Sequence, residues 1–145
     1  GPPSPMYPMR DGRPTPEGDD GIDRTLICHS TDGGASWSAL SDFGDYGMHY
    51  VRPLRLSDGR LIVTYTQRST FHPLGLRAII SYDDGDSWDF SCDRITIEGR
   101  AAWGLPQGGG FGNTVQLADG ELLSCYSYRD SPTSTRLELA RWRLP

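Results

Sequence analysis

Ser30-Thr31-Asp32-Gly33-Gly34-Ala35-Ser36-Trp37 returns 51 residues later as Ser81-Tyr82-Asp83-Asp84-Gly85-Asp86-Ser87-Trp88. Both copies fit Ser-x-Asp-x-Gly-x-x-Trp. Each follows a short apolar run, Thr25-Leu26-Ile27-Cys28 before the first and Ala78-Ile79-Ile80 before the second. A strand that enters Asp-x-Gly and leaves through Trp reads as a β-hairpin. Asp accepts hydrogen bonds from backbone N–H groups inside the turn, and Gly takes positive φ without steric cost. The Trp then returns onto the apolar face beside the turn, burying a large ring whose N–H needs a partner. Two copies in register indicate an internal repeat, and repeats of roughly 40–50 residues point to propeller blades.

The octapeptide resembles the Asp-box of the sialidase (neuraminidase) superfamily, also called the bacterial neuraminidase repeat. The resemblance implies that the box closes the hairpin between the third and fourth strands of a blade, at the periphery and away from substrate. Ser30, Asp32, Gly34, Trp37, Ser81, Asp83, Gly85 and Trp88 are then structural. The fold it implies is all-β: part of a six-bladed propeller with about one complete four-stranded blade and two partial ones. A blade takes about 40–50 residues, so 145 residues do not supply six. The expectation is a C-terminal portion of a longer parent, whose remaining blades are its partners.

Composition narrows the function classes. The net charge is −5, with no basic stripe, so nucleic-acid binding has no electrostatic footing. Apolar runs stay far below the 18 or so residues that span a bilayer. No leader is visible, so a secreted or periplasmic location is expected only if the parent carries one. Cys28, Cys92 and Cys125 are widely spaced, match no zinc pattern and read as buried free thiols. His29, His49 and His72 show no metal-type pairing, and no cofactor is expected. Asp83-Asp84-Gly85-Asp86 lacks the alternating ligands and the Glu of a calcium loop, so these are turn acids. Gly108-Gly109-Gly110 with Gly112 is no phosphate loop, because no helix follows.

In chain order, residues 1–21 are rich in Pro, Gly and acids and read as loop or the remnant of a blade; residues 22–145 form the propeller portion. The third strand of a first blade is expected over 24–30, its outer strand over 36–42 and a crossing loop over 41–47. A second blade follows, with an inner strand over 51–56 and an Asp-Gly turn at 57–59. Its further strands fall at 60–66 and 76–81, and its outer strand lies within 87–97. After a Gly-rich loop, 104–112, an inner strand at 113–117 and a second Asp-Gly turn at 118–120 open a third blade. Its next strands are expected over 121–128 and 136–144. No helix is required.

The resemblance covers residues 22–144 and is closest over 52–61 and 115–123. It implies an exo-sialidase-like glycoside hydrolase acting on sialic-acid-type glycans. Such enzymes use three arginines for the substrate carboxylate, a Tyr nucleophile activated by Glu, and an Asp acid/base. A neutral phenol avoids repulsion by the anomeric carboxylate, and guanidinium forks pair with it bidentately. Arg68 and Arg77 fall near family carboxylate-arginine positions, and Arg52 opens an inner strand that would point to the ring centre. His49, beside Tyr50, stands where the Glu would be. The nucleophile position falls on Phe111, which has no oxygen, so no catalytic residue is assigned; Tyr126 and Tyr128 read as packing or rim residues. Tyr46, Tyr50, Trp103 and Phe111 are candidates for an aromatic sugar platform or for packing between blades. Two alternatives stay open: a non-catalytic carbohydrate-binding or adhesion propeller, and a structural Asp-box repeat protein.

Overall fold

The computed structural model describes residues 9–10, 13–14, 24–44, 47–67, 75–90, 95–98, 113–131 and 133–145. Among them the regular structure is all-β, in four small antiparallel sheets, with no α-helix. Strands β1 (Met9–Arg10) and β2 (Arg13–Pro14) pair with each other. Strands β3 (Thr25–Ile27) and β4 (Ser41–Phe43) form a second pair. The central sheet runs β5 (Met48–Arg55), β6 (Leu61–Gln67), β7 (Gly75–Ser81) and β8 (Ile95–Glu98), each beside the next. The last is ordered β11 (Ser134–Trp142), β10 (Leu122–Ser131), β9 (Asn113–Gln116).

Strands β6 and β7 of the central sheet are buried on both faces. Leu61-Ile62-Val63-Thr64-Tyr65-Thr66-Gln67 is rich in β-branched and aromatic residues, which fit a pleated surface. Its side chains alternate between two clusters rather than between core and water. Val63 and Tyr65 join Ile79, Met48 and Phe43 of β4, with Ile27 and Trp88 against them. Ile62 joins Ile80, Leu56 and Leu122 of β10, with Trp142 and Leu144 against them. The sheets therefore stack face to face: β3–β4, then β5–β8, then β9–β11. Ile62 and Ile79 are fully buried, each contributing about 1.5–3 kcal/mol over its exposed state.

Hydroxyls tie the second interface. Thr114 donates to Thr64 across the sheets at 3.3 Å, and Thr114 and Ser124 lie 2.7 Å apart. The Trp142 indole donates to Ser124 at 2.9 Å. In this way the buried polar atoms find partners.

The two Asp-Gly turns superimpose in chemistry, 61 residues apart. Leu56 N–H donates to Arg60 O at 2.8 Å, Gly59 N–H to Leu56 O at 3.0 Å and Arg60 N–H to the Asp58 carboxylate at 3.1 Å. Leu117 N–H to Glu121 O, Gly120 N–H to Leu117 O and Glu121 N–H to Asp119 repeat the set at 2.7, 2.9 and 3.0 Å. Gly59 and Gly120 hold φ of 91° and 82°, which a side chain would strain. The turns also touch, because Ser57 N–H donates to Gln116 Oε1 at 2.7 Å.

Several boundaries differ from the sequence reading. Residues 1–21 contain the β1–β2 pair rather than loop alone. The outer strand expected over 36–42 pairs only at Ser41–Phe43, inside the expected crossing loop, because burial of Phe43 fixes that register. β5 starts at Met48, three residues early, where Met48 joins the core. The outer strand of the central sheet is a bridge, Ile80 to Asp89, and then β8. Cys28 and Cys125 are free but only half-buried, on outer faces of the stack; Cys92 lies outside the described residues. The 104–112 loop also lies outside them.

Candidate functional site

The two boxes carry the same hydrogen-bond network. In the first, Ser30 Oγ accepts from Gly34 N–H at 2.8 Å and donates to Asp32 Oδ1 at 2.8 Å. Asp32 then accepts from Ser36 N–H at 2.9 Å and Ser36 Oγ–H at 2.5 Å. In the second, Ser81 Oγ accepts from Gly85 N–H and donates to Asp83, both at 2.9 Å, and Asp83 accepts from Ser87 N–H at 2.8 Å and from the Ser87 hydroxyl. Backbone bonds close both at 2.8 Å, Ser38 N–H to His29 O and Asp89 N–H to Ile80 O. Gly34 and Gly85 sit at φ 93° and 92°. Hydrogen bonds from Ser36, then Ser30, hold the Asp32 carboxyl down at about 2, and those from Ser87 and Ser81 lower Asp83 likewise.

Ser36 and Ser87 are the residues that the four-position pattern missed. Both stand one before the Trp, and each supplies two of the donors to its Asp. The signal was there: the same residue at the same place in both copies.

The tryptophans part company. Trp88 folds back onto the core and meets Phe43 edge to face, but its indole N–H has no acceptor among the described residues. Trp37 is 64% exposed, contrary to the expectation that each Trp covers an apolar face. Asp84 pairs with Arg55 at 2.5 Å, and Asp83 is held by the serines, as turn acids are.

In an antiparallel sheet successive links alternate ends. The β5–β6 turn and the second box therefore share one end of the central sheet, and Met48, Gln67 and Gly75 mark the other. His49, Tyr50 and Arg77 lie near that far end. A bulge shifts the β5 register between His49 and Arg52, and Tyr50 within it holds φ 57°. Tyr50 is 42% exposed, and its ring stands 5.7 Å from that of His49.

The bulge decides which arginines share a face. Arg52 pairs with Thr64 and His49 with Thr66, on the face toward β9–β11. Arg77 pairs with Tyr65, on the face toward β3–β4, and is buried. Without the extra residue Arg52 would oppose Val63 and share the face of Arg77. Arg52 and His49 are thus brought to one face, and Arg77 is placed behind them. Arg68, Phe111, Tyr46, Trp103 and His72 lie outside the described residues. Tyr126 is buried and donates to Glu138 Oε2 at 2.9 Å across β10 and β11, a packing position. Among the described residues no cluster of His, Cys, Asp or Glu is placed to hold a metal, and no helix is long and apolar enough to cross a membrane.

No family model, curated protein or solved structure matches this chain.

Proposed function

We propose that the three stacked sheets are consecutive blades of a sialidase-like Asp-box propeller, and that the protein acts on acidic, sialic-acid-type glycans as an exo-acting glycoside hydrolase. One observation carries the reading: the Ser-x-Asp-x-Gly-x-Ser-Trp network, built twice with the same bonds on neighbouring sheets. Face-to-face sheets linked this way suit a ring of radial blades. In such a ring the end away from the boxes carries the ligand; His49 and Tyr50 stand there, and Arg52 lies at mid-sheet on the same face as His49. Arg52 would pair with a sugar carboxylate through its planar fork.

A second reading, a propeller that binds such glycans without cleaving them, is favoured by Phe111 at the position of the family nucleophile. A fluorogenic sialoside and a glycan array separate the two. Turnover that falls in Arg52→Ala supports the hydrolase, and binding without turnover supports the second reading. Neither binding nor turnover discards both.

A further inference from the structure

The internal echoes allow the faces of one sheet to be matched with those of another. Gly59 corresponds to Gly120, so Thr64 and Thr66 correspond to Cys125 and Ser127. Their β7 partners Ala78 and Leu76 then correspond to Leu139 and Leu137 of β11. In the central sheet this face is covered by β9–β11, and Ala78 and Leu76 are 0% and 7% exposed. Leu139 and Leu137 are 65% and 73% exposed. The last sheet thus presents, uncovered, the face that its predecessor buries.

The first sheet presents the complementary half. By the 51-residue echo Trp37 and Leu26 correspond to Trp88 and Arg77. Those two are packed toward β4, with Trp88 on Phe43 and Arg77 buried. Leu26 is 51% exposed, and Trp37 more so. Each open end is therefore half of a contact that the chain already makes twice within itself.

We propose that a second copy of this chain docks head to tail, its Leu26–Trp37 face on the Leu137–Leu139 face of the first. The occupant follows from continuity with the two internal interfaces: among the described residues, the surface that complements each face in the same way is the opposite end of the same chain. The polar contact carries over as well. His29 of the first sheet meets the Gly85 carbonyl of the next box through Nε2 at 3.2 Å. Arg141 occupies the corresponding place on the last sheet; Glu121 and Asp119 take its Nε and Nη2 donors, and its Nη1 group would donate to the Gly34 carbonyl of the incoming copy. Because the two patches differ, the contact is heterologous and either closes a ring or extends. It stands apart from the glycan reading, and sugar turnover plays no part in its test.

The experiment is light scattering of the 145-residue chain over a wide concentration range, with Leu26→Glu and Leu139→Glu variants. Both positions are exposed, so both variants keep the fold, checked by circular dichroism. The wild type should give multiples of 16.0 kDa. Each variant alone should associate roughly tenfold more weakly or worse, since a carboxylate is buried without a partner. An equimolar mixture of the two should recover a dimer, because one copy keeps an intact head and the other an intact tail. A wild type that stays monomeric throughout, or a mixture that recovers nothing, overturns the proposal.

Discussion

Phe43 and Trp88 meet edge to face, ring centroids 5.2 Å apart and planes at 88°, and so join the β3–β4 pair to the central sheet. Trp37 has the same place in its own box but is 64% exposed, with no such ring contact among the described residues. Trp88→Ala should therefore destabilise by about 3 kcal/mol, from lost burial plus a cavity at Phe43 and Ile79. Trp37→Ala should change stability by no more than about 0.5 kcal/mol, as exposed positions do. Urea titrations at low protein concentration check both. Equal losses at the two positions would show that Trp37 is buried in solution.

The box itself was legible from sequence because its chemistry is local: a hydroxyl, a carboxylate and a glycine, each within a few residues of its partner. The positive φ at Gly34 and Gly85 follows from the same spacing. What escaped depends on distant partners. β4 is a strand because Phe43 is drawn under Trp88, and nothing in Ser41-Asp42-Phe43-Gly44 itself says so. The candidate arginines were legible as types but not as a site. One extra residue at Tyr50 turns Arg52 away from Arg77, and alternation along a strand does not reveal a bulge.

Burial differs between the two boxes and should set the cost of losing the first serine. Ser81 is 1% exposed, and its hydroxyl holds the buried Gly85 N–H. Ser81→Ala leaves that donor unsatisfied and should cost about 1–3 kcal/mol. Ser30 makes the same bonds in a solvated turn, where water replaces the hydroxyl. Ser30→Ala should cost less, about 0.5–1 kcal/mol. Paired denaturation curves decide it, and an order reversed from this one would mean that the first box is the more enclosed in solution.

Acid should loosen the boxes in a defined window. Asp32 is lowered from 3.8 to about 2, chiefly by the Ser36 hydroxyl, and Asp83 is lowered by Ser87 in the same way. A depressed carboxyl adds stability that is fully present above its unfolded value and is lost as pH falls through the folded one. The contribution of Asp32 should hold above about pH 4 and fade towards pH 2. Carbon-detected NMR titration of its carboxyl follows this directly. Ser36→Ala should move the Asp32 midpoint upward, towards the ordinary Asp value. An unchanged midpoint would mean that the hydroxyl bond is not made.

Tyr50 pays for the bulge, since a non-glycine residue at φ 57° carries about 1–2 kcal/mol of backbone strain. Tyr50→Gly removes the strain but also the ring contact with His49 and some unfolded-state order, so stability should stay within about 1 kcal/mol of wild type. Tyr50→Val, β-branched at a left-handed position, should cost at least about 1 kcal/mol more than the glycine variant. The same pair probes the site. If the face that carries His49 and Arg52 binds a glycan through Arg52, Tyr50→Gly should keep that binding, because the bulge that aims Arg52 is kept. Val should weaken it by straightening β5 and returning Arg52 to the face of Arg77. Denaturation curves and glycan-array signal on the two variants separate strain from recognition, and equal stability of the two would mean that β5 pairs without the bulge in solution.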